Sequence, residues 1–144
     1  MRTLGGWRIG WHDMNDRTRS HLLKARQLEQ SIRDDQLPSV RITQAQDAAE
    51  HAFRAILFGM GIKRVREHRL DVMAQEHHQQ LVDVWPRLAP LLNEYAWLWE
   101  WRNSARYRHV DVPAYSDPPI TDEMVERAKR TTRRLIEIAE TLVC

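Results

Sequence analysis

The sequence predicts an all-α fold, an antiparallel bundle of four to five helices, and three observations predict it. Apolar residues recur at three- and four-residue spacing through most of the chain, the period of helices that bury one face. Five Gly, six Pro and the near absence of continuous β-branched runs leave little material for strands. The 144 residues, 42% hydrophobic and 29% charged, are enough for one sizeable core and too few for two domains, so 1–144 is read as a single helical domain.

Residues 1–13 are read as an N-terminal extension. The first helix, over about 14–33, sets Leu22, Ala25, Leu28 and Ile32 on one face and closes at the string DDQLP. The second opens at Thr43, where TQAQ offers a capping box from Thr43 to Gln46. It carries Ala45, Ala48, Ala49, Ala52, Phe53, Ile56, Leu57 and Met60 at helical spacing, and Gly59 and Gly61 punctuate its end. A short, mostly charged helix over about 65–81 contributes Leu70 and Met73.

A long helix over about 86–106 turns Leu88, Leu91, Leu92, Tyr95, Leu98 and Trp99 toward the core. Pro86 suits its first turn, and Pro90 marks a kink or the true start. Three prolines in VDVPAYSDPPI, 110–120, forbid its continuation and make a Pro-rich loop. Thr121 caps the last helix, with Asp122 and Glu123 in its first turn and Met124, Ala128, Leu135, Ile138, Ala139 and Leu142 as its apolar stripe.

Composition excludes several classes. The N-terminal residues lack the uninterrupted apolar core of a signal peptide and no stretch approaches a membrane span. The one cysteine, Cys144, cannot form an intramolecular bridge, so a reducing cytoplasm is expected. A net charge of +2 does not identify a nucleic-acid binder. Nineteen of the 22 basic residues are arginine, whose fork suits phosphate, although a G+C-rich genome produces the same bias. Helical bundles can hold di-iron centres through Glu-x-x-His, but no His here has a Glu three residues before it. His77 and His78, adjacent on a helix, point about 100° apart and suit a solvated surface better than a metal.

The densest polar cluster is the string WEWRNSARYRHVDVP. Arg102 and His109 stand seven residues apart, and seven helical steps return to within about 20° of one direction, with Arg106 about 40° away. Guanidinium groups for a phosphate beside an imidazole that titrates near neutrality are the parts for cleaving a phosphodiester next to a 2′-hydroxyl. The spacing by itself is what composition yields by chance. In the same helix Trp97 and Trp101 share a face while Trp99 projects roughly opposite, so one indole-bearing side is available to a second subunit. His51 reads as a helix-face or interface residue, and His68, among Arg64, Arg66 and Arg69, as a local structural cap in preference to an RNA contact. Arg127, Lys129, Arg130, Arg133 and Arg134 give the last helix a basic surface, balanced in part by Glu123, Glu126 and Glu137 at helical spacing.

Arg102-Asn103, followed by Arg106-Tyr107 and His109 at the end of the penultimate helix, resembles the HEPN family, the higher eukaryotes and prokaryotes nucleotide-binding domain. The segments DAAEHAFRAILFGMGI and REHRLDVM are similar to its second helix and following helix start, and the likeness runs over about 17–143. The family pattern is Arg, a polar residue and then His after four to six intervening positions, and six separate Arg102 from His109. The resemblance implies a metal-independent endoribonuclease, a toxin or antiphage effector, needing no cofactor. It assigns catalysis to Arg102, Asn103 and His109 and RNA binding to Arg106, Tyr107 and Arg108, and it implies a homodimer with Trp97, Trp99 and Trp101 at the interface. Some relatives are instead non-catalytic nucleotide- or protein-binding adaptors, the alternative reading. An antitoxin partner, of unknown type, is compatible with the family, but Asp111 stands where one toxin branch has its modified tyrosine.

Overall fold

Five alanines of the second helix, Ala45, Ala48, Ala49, Ala52 and Ala55, have no exposed surface. Side chains this small let neighbouring helices approach from several sides, which puts this helix at the centre of the bundle. In the structure, a computed structural model, residues 2–66, 69–111 and 120–143 are described, with side chains over 15–66, 69–101 and 120–143. Along the chain the elements are α1 (Arg2–Gln30), α2 (Pro38–Gly59), α3 (Leu70–Glu76), α4 (Trp85–Leu88), a 3₁₀ turn (Ala89–Leu91), α5 (Leu92–Asp111) and α6 (Asp122–Glu140). No strand occurs among the described residues.

Helix α2 packs chiefly against α1, α6 and α5. It runs antiparallel to α1, since His21 meets His51 while Gly59 lies beside Thr18. It runs parallel to α6, since Arg41 pairs with Asp122, Ala45 with Thr132, and Gly59 lies against Leu142. Two parallel neighbours need a long crossover, and the chain between α2 and α6 supplies it, with α5 as its main element. The core joins Leu22, Ile42, Phe53, Ile56, Leu57, Leu88, Tyr95, Leu98, Leu135 and Ile136, and Phe53 meets Tyr95 edge to face at 5.0 Å.

Several boundaries differ from the sequence reading, each for an identifiable reason. Helix α1 begins at Arg2, well before residue 14, because Gly5, Gly6 and Gly10 weaken a helix by about 1 kcal/mol each without blocking its hydrogen bonds. Helix α2 begins at Pro38, so the capping box at Thr43 is not formed. A proline costs nothing at the first helical turn, where its N–H would have no partner, and Thr43 Oγ1 donates instead to the Ser39 carbonyl at 2.8 Å from inside the helix. The helix ends as read, at Gly59. The Gly61 N–H bonds to the Phe58 carbonyl and the Ile62 N–H to that of Leu57, a Schellman turn that holds Gly61 at φ 91°.

The expected helix over 65–81 shortens to α3. Before it, Arg17 and Arg54 donate to the carbonyls of Lys63, at 3.3 Å, and Val65, at 2.8 Å, which takes those carbonyls out of any helical ladder. After it, residues 77–84 form successive turns. The long helix expected over 86–106 is interrupted at Pro90, which has no N–H to offer and crowds the carbonyl four residues back. It resumes as α5 and reaches Asp111; the rest of the Pro-rich loop, 112–119, lies outside the described residues. Helix α6 matches the reading, with Thr121 Oγ1 accepting from the Met124 N–H at 3.2 Å.

Candidate functional site

Helix α5 is the element on which the expected catalytic string sits. Its first half is anchored by Leu92, Tyr95 and Leu98, all buried. The helix backbone continues through positions 102, 103, 106, 107, 108 and 109. The side chains of Arg102, Asn103, Arg106, Tyr107, Arg108 and His109 lie outside the described residues, as does His68.

The tryptophans before that string are described. Trp97 and Trp101 are partly buried and pack against the core, whereas the sequence reading turns Trp99 coreward and leaves their shared face to a second subunit; Arg127 of α6 covers part of that face instead. Trp99 is also partly buried but is not among the residues packed on that cluster. The Arg127 guanidinium lies over the Trp97 ring, 3.9 Å from its centroid. It also donates twice to Glu94, at 2.7 and 2.9 Å, a fork that holds the Glu94 carboxyl below the usual carboxylate range. This stack of carboxylate, guanidinium and indole fixes α6 against the half of α5 that precedes the string.

A second cluster escaped the sequence reading. His51 sits on α2 where expected, but its Nδ1 lies 2.9 Å from Nδ1 of His21 on α1, so one ring donates a proton and the other accepts. The imidazoles stack with centroids 5.2 Å apart, and His21 also stacks on Phe58 at 5.5 Å. Arg17 lies over the other ring of that set, 5.6 Å from the Phe58 centroid. Burial, then the neighbouring His51 and Arg54, push His21 down to about 4, against a smaller opposing pull from Glu50. Burial lowers His51 as well. Both rings are therefore neutral near pH 7. They border a cavity of about 360 Å³ with Ser20, Leu23, Lys24 and Gln27. Thirty residues separate the two histidines, and only the antiparallel register of α1 on α2 brings them together.

Gln46 was read only as the far end of a capping box. It is wholly buried, and its amide has no hydrogen-bond partner among the described residues. No group of three or more His, Cys, Asp or Glu among the described residues is placed to hold a metal ion. No helix among them is long and apolar enough to cross a membrane.

No curated protein and no solved structure matches the chain. The family model of the HEPN domain matches residues 24–142, a span that takes in the last two turns of α1, all of α2 to α6 and the complete Arg102-Asn103 to His109 string. With most of its length covered by that match, the chain belongs to the HEPN domain family.

Proposed function

We propose that this protein is a metal-independent endoribonuclease that cleaves RNA with Arg102 and His109, with Asn103 assisting. The observation that carries the reading is the continuation of α5 to Asp111 in a chain that belongs to the HEPN family, so that the family's Arg-polar-His string stands on one uninterrupted helix. The register of that helix adds to it. Leu92, Tyr95 and Leu98 form its buried stripe, and positions 102, 106 and 109 fall within about 40° of the continuation of that stripe.

In this mechanism Arg102 neutralises the scissile phosphate and binds it through its planar fork. His109 acts as the proton carrier. As a base it removes the 2′-hydroxyl proton while O2′ attacks phosphorus, and as an acid it protonates the departing 5′-oxygen, leaving a 2′,3′-cyclic phosphate. Asn103 orients a phosphate oxygen by hydrogen bonding, and Arg106, Tyr107 and Arg108 contact the neighbouring nucleotides. The protein works as a homodimer in the cytoplasm, as a toxin or antiphage effector.

The test is incubation of purified protein with total RNA in excess EDTA. Wild type should cleave, and Arg102→Ala and His109→Ala should each lower the rate by about a hundredfold or more while leaving the helical circular dichroism unchanged. Arg102→Lys should rescue only in part, because an ammonium lacks the fork. Full cleavage by either alanine variant would remove the site, and an inactive wild type would return the protein to the adaptor class.

A further inference from the structure

The end of α1 and the middle of α6 enclose an open groove of about 580 Å³, well away in sequence from the catalytic string. Lys129, Arg130, Arg133 and Arg134 line it, with Glu29 and Glu137 as the only carboxylates among its lining residues. The local excess of two positive charges equals the formal net charge of the whole chain. How these cations are engaged decides what the groove can bind. Arg133 is committed to Glu29 across the helix pair, and Lys129 makes only a loose 3.6 Å contact with Glu126. Arg130 and Arg134 are exposed and close no ion pair with a carboxylate among the described residues, although both lie near enough to Glu94 to help hold its carboxyl low. The balancing of this face by its own helix, expected from Glu123, Glu126 and Glu137, is therefore limited to that loose contact among the described residues.

Arg130 and Arg134 are one helical turn apart, a rise of about 6 Å, so two guanidinium forks stand in sequence along the groove. An open groove with a row of cations suits an extended polyanion better than a compact ligand, which is held by enclosure. We propose that the α1–α6 groove binds the phosphate backbone of single-stranded RNA through Arg130 and Arg134, with Lys129 beside them, as a grip separate from the cleavage site. The proposal takes its ligand class from the ribonuclease reading and assigns the contact to residues which that reading does not use.

The experiment uses the full chain with His109→Ala, so that RNA is bound and not consumed, and a fluorescently labelled oligouridylate read by anisotropy over a range of salt. Adding Arg130→Gln and Arg134→Gln should raise Kd about tenfold and make the slope of log K against log salt shallower by about 1.4, the change for two lost contacts to a single strand. Lysine at both positions should preserve the slope. Wild-type affinity and slope in the folded double-glutamine variant would overturn the proposal, as would failure of the His109→Ala parent to bind the oligonucleotide. Polyglutamate competing as well as oligouridylate, charge for charge, would overturn it in favour of an acidic protein partner. Groove-dependent binding in a protein whose wild type fails to cleave would uphold the groove and remove only the ribonuclease reading.

Discussion

His21 and His51 each present a ring nitrogen to the other at 2.9 Å, and that arrangement works only while at most one of those nitrogens carries a proton. Protonating the second would set two N–H donors against each other and place a positive charge beside Arg54, Arg17 and Lys24, with Glu50 and Asp47 as the opposing carboxylates. Both folded pKa values lie below the ordinary 6.5, so between that value and about 4 the unfolded chain takes up protons that the folded chain refuses. The stabilisation is present in full above pH 6.5 and is lost as pH falls toward 4. Because solvent reaches these partly buried rings, its size is roughly 1–2 kcal/mol. Urea unfolding at stepwise pH should show the wild type losing this amount relative to a His21→Gln, His51→Gln double variant, whose own acid sensitivity reports the carboxylates alone. Parallel curves would contradict it. At this scale the sequence was uneven as a guide. The Arg102, Asn103 and His109 string was legible through its likeness to a family, whereas nothing about His21 or His51 in isolation announces a pair, because their contact is made by helix packing.

Regular apolar spacing was legible at the level of the element, and punctuation was harder to read. Helices α2 and α6 follow their periodicity closely, because each buries a wide face and packing reinforces the local preference. The start of α2 was misplaced because two signals compete there, a proline suited to the first turn and a threonine suited to a cap, and the proline lies just where the chain leaves the α1 turn. The helix read over about 65–81 is shortened at its start because guanidinium groups from α1 and α2 hold the carbonyls of Lys63 and Val65, which no local pattern shows. Gly61 is the position where one atom matters most for the turn out of α2. At φ 91° a Cβ is strained, so Gly61→Ala should lower stability by about 1 kcal/mol and the melting temperature by a few degrees. An unchanged melting temperature would mean that the turn re-forms without the left-handed residue.

At the scale of the whole molecule, the all-helical class and the central alanine-rich helix were legible, but the parallel course of α2 and α6 was not, since direction is set by the crossover between them. The same scale decides how the proposed site is completed. Seven residues of helix rise about 10 Å, farther than one phosphate bridges with ease, so Arg102 of one chain is proposed to act with His109 of another across a two-fold axis. Trp97 and Trp101 already pack in part on their own core, and Trp97 carries Arg127, so substituting either would disturb the fold as well as an interface. Trp99 is partly buried on the other side of the helix and tests the proposed interface from there: Trp99→Glu should shift sedimentation from dimer to monomer and suppress cleavage with Arg102 and His109 still present, with circular dichroism checking that the fold is kept. A fully active monomer would exclude the shared cleft. The most direct measurement is RNA cleavage by an equimolar mixture of the Arg102→Ala and His109→Ala chains after subunit exchange. If Arg and His act across the interface, random pairing rebuilds one cleft in half of the dimers and restores about a quarter of the wild-type rate. A mixture as inactive as its two components, beside an active wild type, would contradict the composite cleft.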